Sequence, residues 1–193
     1  MSASAQAVFT EADYLAFERT SDQKHEYYDG VIAAEAGGSA THNRVTMNAI
    51  NSLYNQLQNR PYTVYSSDMR VKIPQKNSYV YPDVSVVCGQ ERFDDTGQEI
   101  LINPIVIIEV LSPSTERHDR GKTFELYRTI DSLQEYLLIA QDAKRIDHFM
   151  RQLDNLWIFA SFGEEEEQLF LPSIECTLQI STVYHNISFQ ERS

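Results

Sequence analysis

The chain is 193 residues long, 42% hydrophobic and 11% aromatic, with 16 basic and 28 acidic side chains for a formal net charge of −12. That length holds one substantial core, most simply a single domain over 1–193, and no apolar run approaches the ~18 residues of a membrane-spanning helix. The acidic balance argues against broad, charge-driven nucleic-acid binding, because nonspecific affinity comes from neutralising phosphates.

The opening, MSASAQAVFTEADY, has no basic start and no long apolar stretch, so it does not read as a signal peptide. Thr10 reads as an N-cap with Asp13 at N3, which predicts a short helix over 11–18. Asp29-Gly30 between 25–28 and 31–35 is the strongest local hairpin signal in the chain. Gly37-Gly38-Ser39 frees the backbone to start a helix over 41–59, where Val45, Ala49, Leu53 and Leu57 recur every four residues and Pro61 ends the run.

The middle of the chain reads as strands at 62–65, 69–73, 84–88 and 105–111, with 79–81 leading into the third and Asp68 marking a turn or bulge. The polar segment 92–102 reads as a surface excursion. A helix is expected over 119–130, with Phe124 and Tyr127 inward, then a strand over 134–140. Strand, helix and strand around residue 109 have the order of a crossover unit. A late hairpin is expected from 144–151 and 156–162 through Asp154-Asn155, with 169–171 extending the sheet and a short helix over 180–186. The acidic run 164–167 reads as a solvated loop. Cys88 and Cys176 both lie among apolar neighbours and read as buried thiols, which fits a reducing, cytoplasmic compartment.

Glu109 is the residue that most needs explaining. It interrupts the apolar run IVIIEVL, where a lone carboxylate costs several kcal/mol to desolvate unless something compensates it. A divalent cation is one compensation, and Asp83, at the head of the apolar VSVVC, is a second carboxylate at a strand end. Oxygen ligands of this kind suit Mg²⁺ or Mn²⁺, with the backbone carbonyl of Val110 completing the set. Lys122, 13 residues after Glu109, supplies an ammonium for the phosphate oxygens or the attacking water. Arg117, Arg120, Lys122 and Arg128 form a basic cluster, a small basic mouth on an acidic body.

Each assignment has a structural counterpart. In that alternative, Asp83 would only cap a strand start after Pro82, Glu109 would pair with an arginine such as Arg117 or Arg120 without any metal, and Lys122 would be a solvated helix lysine. Glu26, His42 and Asp119 are supporting candidates: a further carboxylate, a phosphate contact or proton relay, and a helix cap beside His118. The cysteines and histidines form no zinc-ligand pattern, and no nucleotide-binding fingerprint or G-x-S-x-G is present.

Tyr81-Pro82-Asp83-Val84, Asn103-Pro104, Ile108-Glu109-Val110-Leu111-Ser112-Pro113-Ser114, then Asp119, Lys122, Tyr127 and Glu135-Tyr136-Leu137-Leu138, form an ordered set. With Glu26, Asp29-Gly30 and His42 upstream, this set resembles the Uma2 family, a domain of unknown function within the PD-(D/E)xK nuclease superfamily. Its members are widespread in bacteria, notably cyanobacteria. The resemblance implies a restriction-endonuclease-like α/β core, a central mixed β-sheet flanked by helices, with Mg²⁺ or Mn²⁺ on Asp83 and Glu109. Where the superfamily motif places lysine two residues after the acid, this chain has Leu111; Lys122 fits the migrated lysine of the Uma2 pattern.

The function implied is a metal-dependent endonuclease hydrolysing DNA phosphodiester bonds. DNA binding is expected to be weak if unaided, with a homodimer or an accessory protein supplying grip and no membrane association. Two other classes stand beside it: a catalytically inactive nuclease-fold binding or assembly module, and a hydrolase of RNA or another phosphorylated substrate.

Overall fold

The computed structural model describes residues 8–35, 37–112 and 119–189, with Asp119 described by its backbone alone. Three apolar segments, Val84–Cys88, Val106–Leu111 and Glu135–Ala140, are strands β6, β8 and β9 at the centre of a six-stranded mixed sheet. Tyr62–Ser66 (β3) closes one edge, and the hairpin Ile146–Arg151 (β10) and Trp157–Phe162 (β11) closes the other. The order is β11-β10-β9-β8-β6-β3. β8 and β9 are parallel, with Glu109 opposite Leu138, and every other pair in this sheet is antiparallel.

The two-residue alternation of a strand sorts β8 between two cores. Val106, Ile108 and Val110 face the long helix α2 (Ala40–Leu57), whose Val45, Ala49, Leu53 and Leu57 are all buried against them. Four fully buried aliphatic or alanine side chains on one stripe explain why this helix forms and where it packs. Ile107 and Leu111 face the other way, into a second core with Tyr127, Tyr136 and Leu138. Glu109 lies between them in register and therefore belongs to this second face.

A five-stranded sheet covers that side: His25–Tyr28 (β1), Val31–Ala34 (β2), Arg70–Ile73 (β4), Ser78–Val80 (β5) and Ile100–Leu101 (β7), in the order β2-β1-β5-β4-β7. Its Val71, Ile73, Val80 and Leu101 join the second core. Helix α1 (Glu11–Glu18) carries the capping box between Thr10 and Asp13 and buries Tyr14 against Tyr27 and Tyr79. At the β1–β2 turn Asp29 and Gly30 both have positive φ, 42° and 101°, the geometry this dipeptide favours.

Several sequence expectations change. The segment 92–102 is not wholly a surface excursion: Ile100 and Leu101 are buried and pair in parallel with β4. The strand near 169–171 does not extend the large sheet. It is Gln168–Leu171 (β12), paired with Cys176–Gln179 (β13) in a separate ribbon over the α2 side. The expected helix over 119–130 is a wide π-type turn, Asp119–Thr123, followed by the single α-turn Phe124–Tyr127 (α3). Cys88 is exposed at the end of β6, while Cys176 is buried; both are free thiols. The last helix is the short Ile180–Val183 (α4). No helix among the described residues is long and apolar enough to cross a membrane.

Candidate active site

Register brings the two principal carboxylates together. Val84 stands opposite Ile108 on antiparallel β6 and β8, so one step further Asp83 stands opposite Glu109. The pair is interlocked through the backbone: the N–H of Val110 donates to Asp83 Oδ2 at 2.7 Å, and the N–H of Asp83 donates to Glu109 Oε2 at 3.2 Å. Tyr127, fully enclosed beneath the sheet, donates its hydroxyl to Glu109 Oε1 at 2.6 Å. Burial, then the charge of Glu109, pushes the Tyr127 phenol well above its usual range, so it remains a donor.

His42 comes from the first turn of α2, where Ser39 caps the helix by accepting from the His42 N–H at 3.0 Å. Its Nε2 lies 3.1 Å from Asp83 Oδ2. The hydrogen bond to Asp83 raises the His42 pKa; burial opposes this, and the Asp83 charge, the Val110 backbone and Glu35 add to it. Gly38 leaves room for the ring. A Cβ there would come within 2.6 Å of His42 Nδ1 and drive the imidazole from Asp83.

Glu26, on β1, accepts from the Tyr28 hydroxyl at 2.6 Å and from the Tyr81 N–H at 3.4 Å. With Asp83, Glu109, Val110 and His42 it lines a cavity of about 790 Å³, closed on other sides by Tyr81, Thr123 and Gln141. Five of the predicted site residues thus meet in one place. Lys122 does not line this cavity: it lies exposed in the turn Asp119–Thr123. Asp119 opens that turn; its expected capping side chain, and His118 and Arg117, lie outside the described residues. Arg120 pairs with the buried Asp147 on β10.

The donor chemistry suits a hard cation. Asp83 Oδ1 takes no hydrogen bond among the described residues, and Val110 also lines the cavity. No three His, Cys, Asp or Glu side chains among the described residues are gathered into a cage. Two carboxylates with water completing the shell is how Mg²⁺ is commonly held.

Lys24 and Glu35 also line the cavity and were not singled out from sequence. The signal was available: Lys24 and Glu26 are two apart on β1's approach, and Ala33 pairs with Glu26, which puts Glu35 on the same face across from Lys24. Burial pushes the Glu35 carboxyl up to about 7, against the pull of Lys24 and with help from the charges of Glu26, Asp83 and Asp68. An acid whose folded pKa exceeds its ordinary 4.5 takes up protons on folding. Its cost is absent below that value and develops as pH rises to about 7. Glu35→Gln should therefore flatten the fall in stability between those pH values. At pH above 7 it should gain about 2 kcal/mol, discounted for partial exposure, or several degrees in thermal midpoint. Thermal unfolding of both proteins across pH tests this, and parallel pH profiles would refute it.

A mixed sheet carrying two cross-strand carboxylates at one end, under a helix that presents a histidine, defines a nuclease-like α/β fold. The family model described as "Uma2: Putative restriction endonuclease" matches residues 11–182, and the chain belongs to this family. It is 40% identical over 161 residues to the uncharacterized protein sll1609 of Synechocystis sp., covering 83% of this chain and 91% of that one. It is 33% identical over 177 residues to the uncharacterized protein slr1290 of the same organism, with 92% of each covered. A crystal structure from Anabaena variabilis ATCC 29413, described as "a putative nuclease belonging to DUF820", superposes with a TM-score of 0.76 at 18% identity. The match covers 91% of this chain and 97% of that one, a likeness of fold.

Proposed function

We propose that the chain is a metal-dependent endonuclease that hydrolyses DNA phosphodiester bonds, using Mg²⁺ or Mn²⁺ held by Asp83, Glu109 and the Val110 carbonyl. The observation that carries this reading is the β6–β8 register, which sets the two carboxylates side by side at a cavity wall. A bound cation of this type polarises a phosphoryl oxygen and lowers the pKa of water. The chain's own groups do the rest. Tyr127 and the Asp83 N–H fix the Glu109 carboxylate, while the Val110 N–H and His42 fix Asp83. Such locking keeps a site within the tolerance catalysis requires. Water attacks the phosphorus in line and the bond to the leaving oxygen breaks. His42 takes up the proton that the attacking water gives up and relays it to the leaving oxygen, Glu26 adds a further carboxylate, and Lys122 supplies positive charge to the phosphate.

The net charge of −12 makes an unaided grip on DNA weak, so a homodimer or an accessory protein is part of this proposal. The exposed position of Lys122 favours one other reading, an inactive nuclease fold used for binding or assembly. Cleavage of supercoiled plasmid, and of RNA in parallel, at low salt with Mg²⁺ or Mn²⁺ separates them. The expected result is metal-dependent nicking lost in D83A, E109A and K122A. Wild-type activity no higher than that of the variants would sink autonomous cleavage.

A further inference from the structure

Four carboxylates, Glu26, Glu35, Asp83 and Glu109, line the cavity, and Lys24 is the one Lys or Arg among its described lining residues. Among the described lining residues, a polyanionic substrate entering here finds favourable charge at a cation bound to the carboxylates, at this ammonium and at His42 when protonated. Lys24 is held in place by groups that do not use up its charge. Its Nζ donates to the Ser67 carbonyl at 2.8 Å and to Ser67 Oγ at 3.3 Å, in the turn between β3 and β4. It also lies 5.5 Å from the ring centroid of Tyr81, two residues before Asp83. The lysine is therefore packed against the very segment that delivers the principal carboxylate.

Its two acidic neighbours are weak competitors for a phosphate. Asp68, 3.0 Å away, has a side chain 85% exposed, and such surface pairs contribute about 0–1 kcal/mol. Glu35 is 3.8 Å away and its carboxyl, pushed up to about 7 by burial, carries only part of its charge at neutral pH. The groups facing Glu35 are Lys24, Glu26, Asp68, Asp83 and His42, one cation and one histidine among three acids.

We propose that Lys24 is the side chain that binds a substrate phosphate at this cavity, a specificity-determining residue oriented by Ser67 and Tyr81. This rests on the phosphodiester reading above and adds to it the residue that recognises the backbone, in an element remote from the metal-ligand strands.

The test is binding, read without turnover. A short fluorescein-labelled DNA duplex is titrated in Ca²⁺ buffer from about 50 to about 200 mM salt, following anisotropy. Lys24→Gln keeps a hydrogen-bonding end group for Ser67 but removes the charge. It should weaken binding about tenfold and lower the slope of log affinity against log salt by about one, and Lys24→Arg should restore both. Arg60→Met, a matched charge loss beyond the far end of α2, should leave both unchanged. In the wild-type chain, bound duplex should also protect Lys24 from acetylation, read by mass spectrometry; this needs no variant to fold. An unchanged slope in K24Q, or equal acetylation with and without duplex, overturns the assignment and leaves the nuclease reading standing. Absence of any binding by the wild-type chain overturns both.

Discussion

Glu109→Gln is expected to lower metal-dependent cleavage by at least about 100-fold while leaving the thermal midpoint within a few degrees of the wild type. Gln keeps an oxygen for the Tyr127 hydroxyl and loses the negative charge together with the acceptor for the Asp83 N–H. The charge removed shares a cavity wall with Asp83 and Glu26, and relief of that like-charge contact offsets the lost bond. Activity must therefore fall while the midpoint holds if Glu109 serves a cation. Loss of activity with collapse of the midpoint would make Glu109 a structural acid, and retained activity would remove it from the site. Asp83→Asn is the companion, expected to lose activity to a similar degree while keeping the acceptor for the Val110 N–H.

Glu135→Ala is expected to give a large loss of stability, about 3–5 kcal/mol, or roughly 10 °C in thermal midpoint. Glu135 and His148 are each about 1% exposed and bonded across adjacent strands β9 and β10. The other carboxylate oxygen of Glu135 accepts the Ser173 N–H at 2.7 Å, which ties the sheet to the segment between β12 and β13. Alanine would strand both partners. His148 Nδ1 already has no partner among the described residues, so the ring has no second bond to fall back on. Replacing both residues, as Glu135→Met with His148→Leu, should recover part of the loss, since an apolar pair leaves only the Ser173 N–H without its acceptor. Denaturant unfolding of the single and double variants checks this, and a single-variant loss under about 1 kcal/mol would refute it.

The contrast between Glu109 and Glu135 shows where sequence reasoning ran out. Both are carboxylates in apolar strands, and both fall within the family resemblance. Glu135 lies opposite Val106 and shares the α2 face, closed by the β12–β13 ribbon; Glu109 lies on the other face, at a cavity. Which face a carboxylate serves follows from pairing register, and a one-residue change of register reverses it.

Local signals were legible because their physics is local. The capping box of α1, the Asp29-Gly30 turn, the four-residue stripe of α2 and the apolar runs of β6, β8 and β9 are each decided by residues within a few positions of one another. So was the pairing of Asp83 with Glu109, once two apolar runs each carrying one acid were taken as neighbours. The stub β7, the separate β12–β13 ribbon and the shortening of the expected 119–130 helix were not legible. Their residues are held by burial against distant elements rather than by their own periodicity.

The sequence by itself determined α1, the β1–β2 turn, α2, the three apolar central strands, the family and five of the residues that meet at the cavity. Only the tertiary structure decided that Lys122 lies outside that cavity, that Arg120 turns to Asp147, and that Lys24 and Glu35 enter it from the β1–β2 hairpin. Charge placement depends on which sheet covers which face. That is settled by packing between segments far apart in the chain, where no short-range pattern reaches.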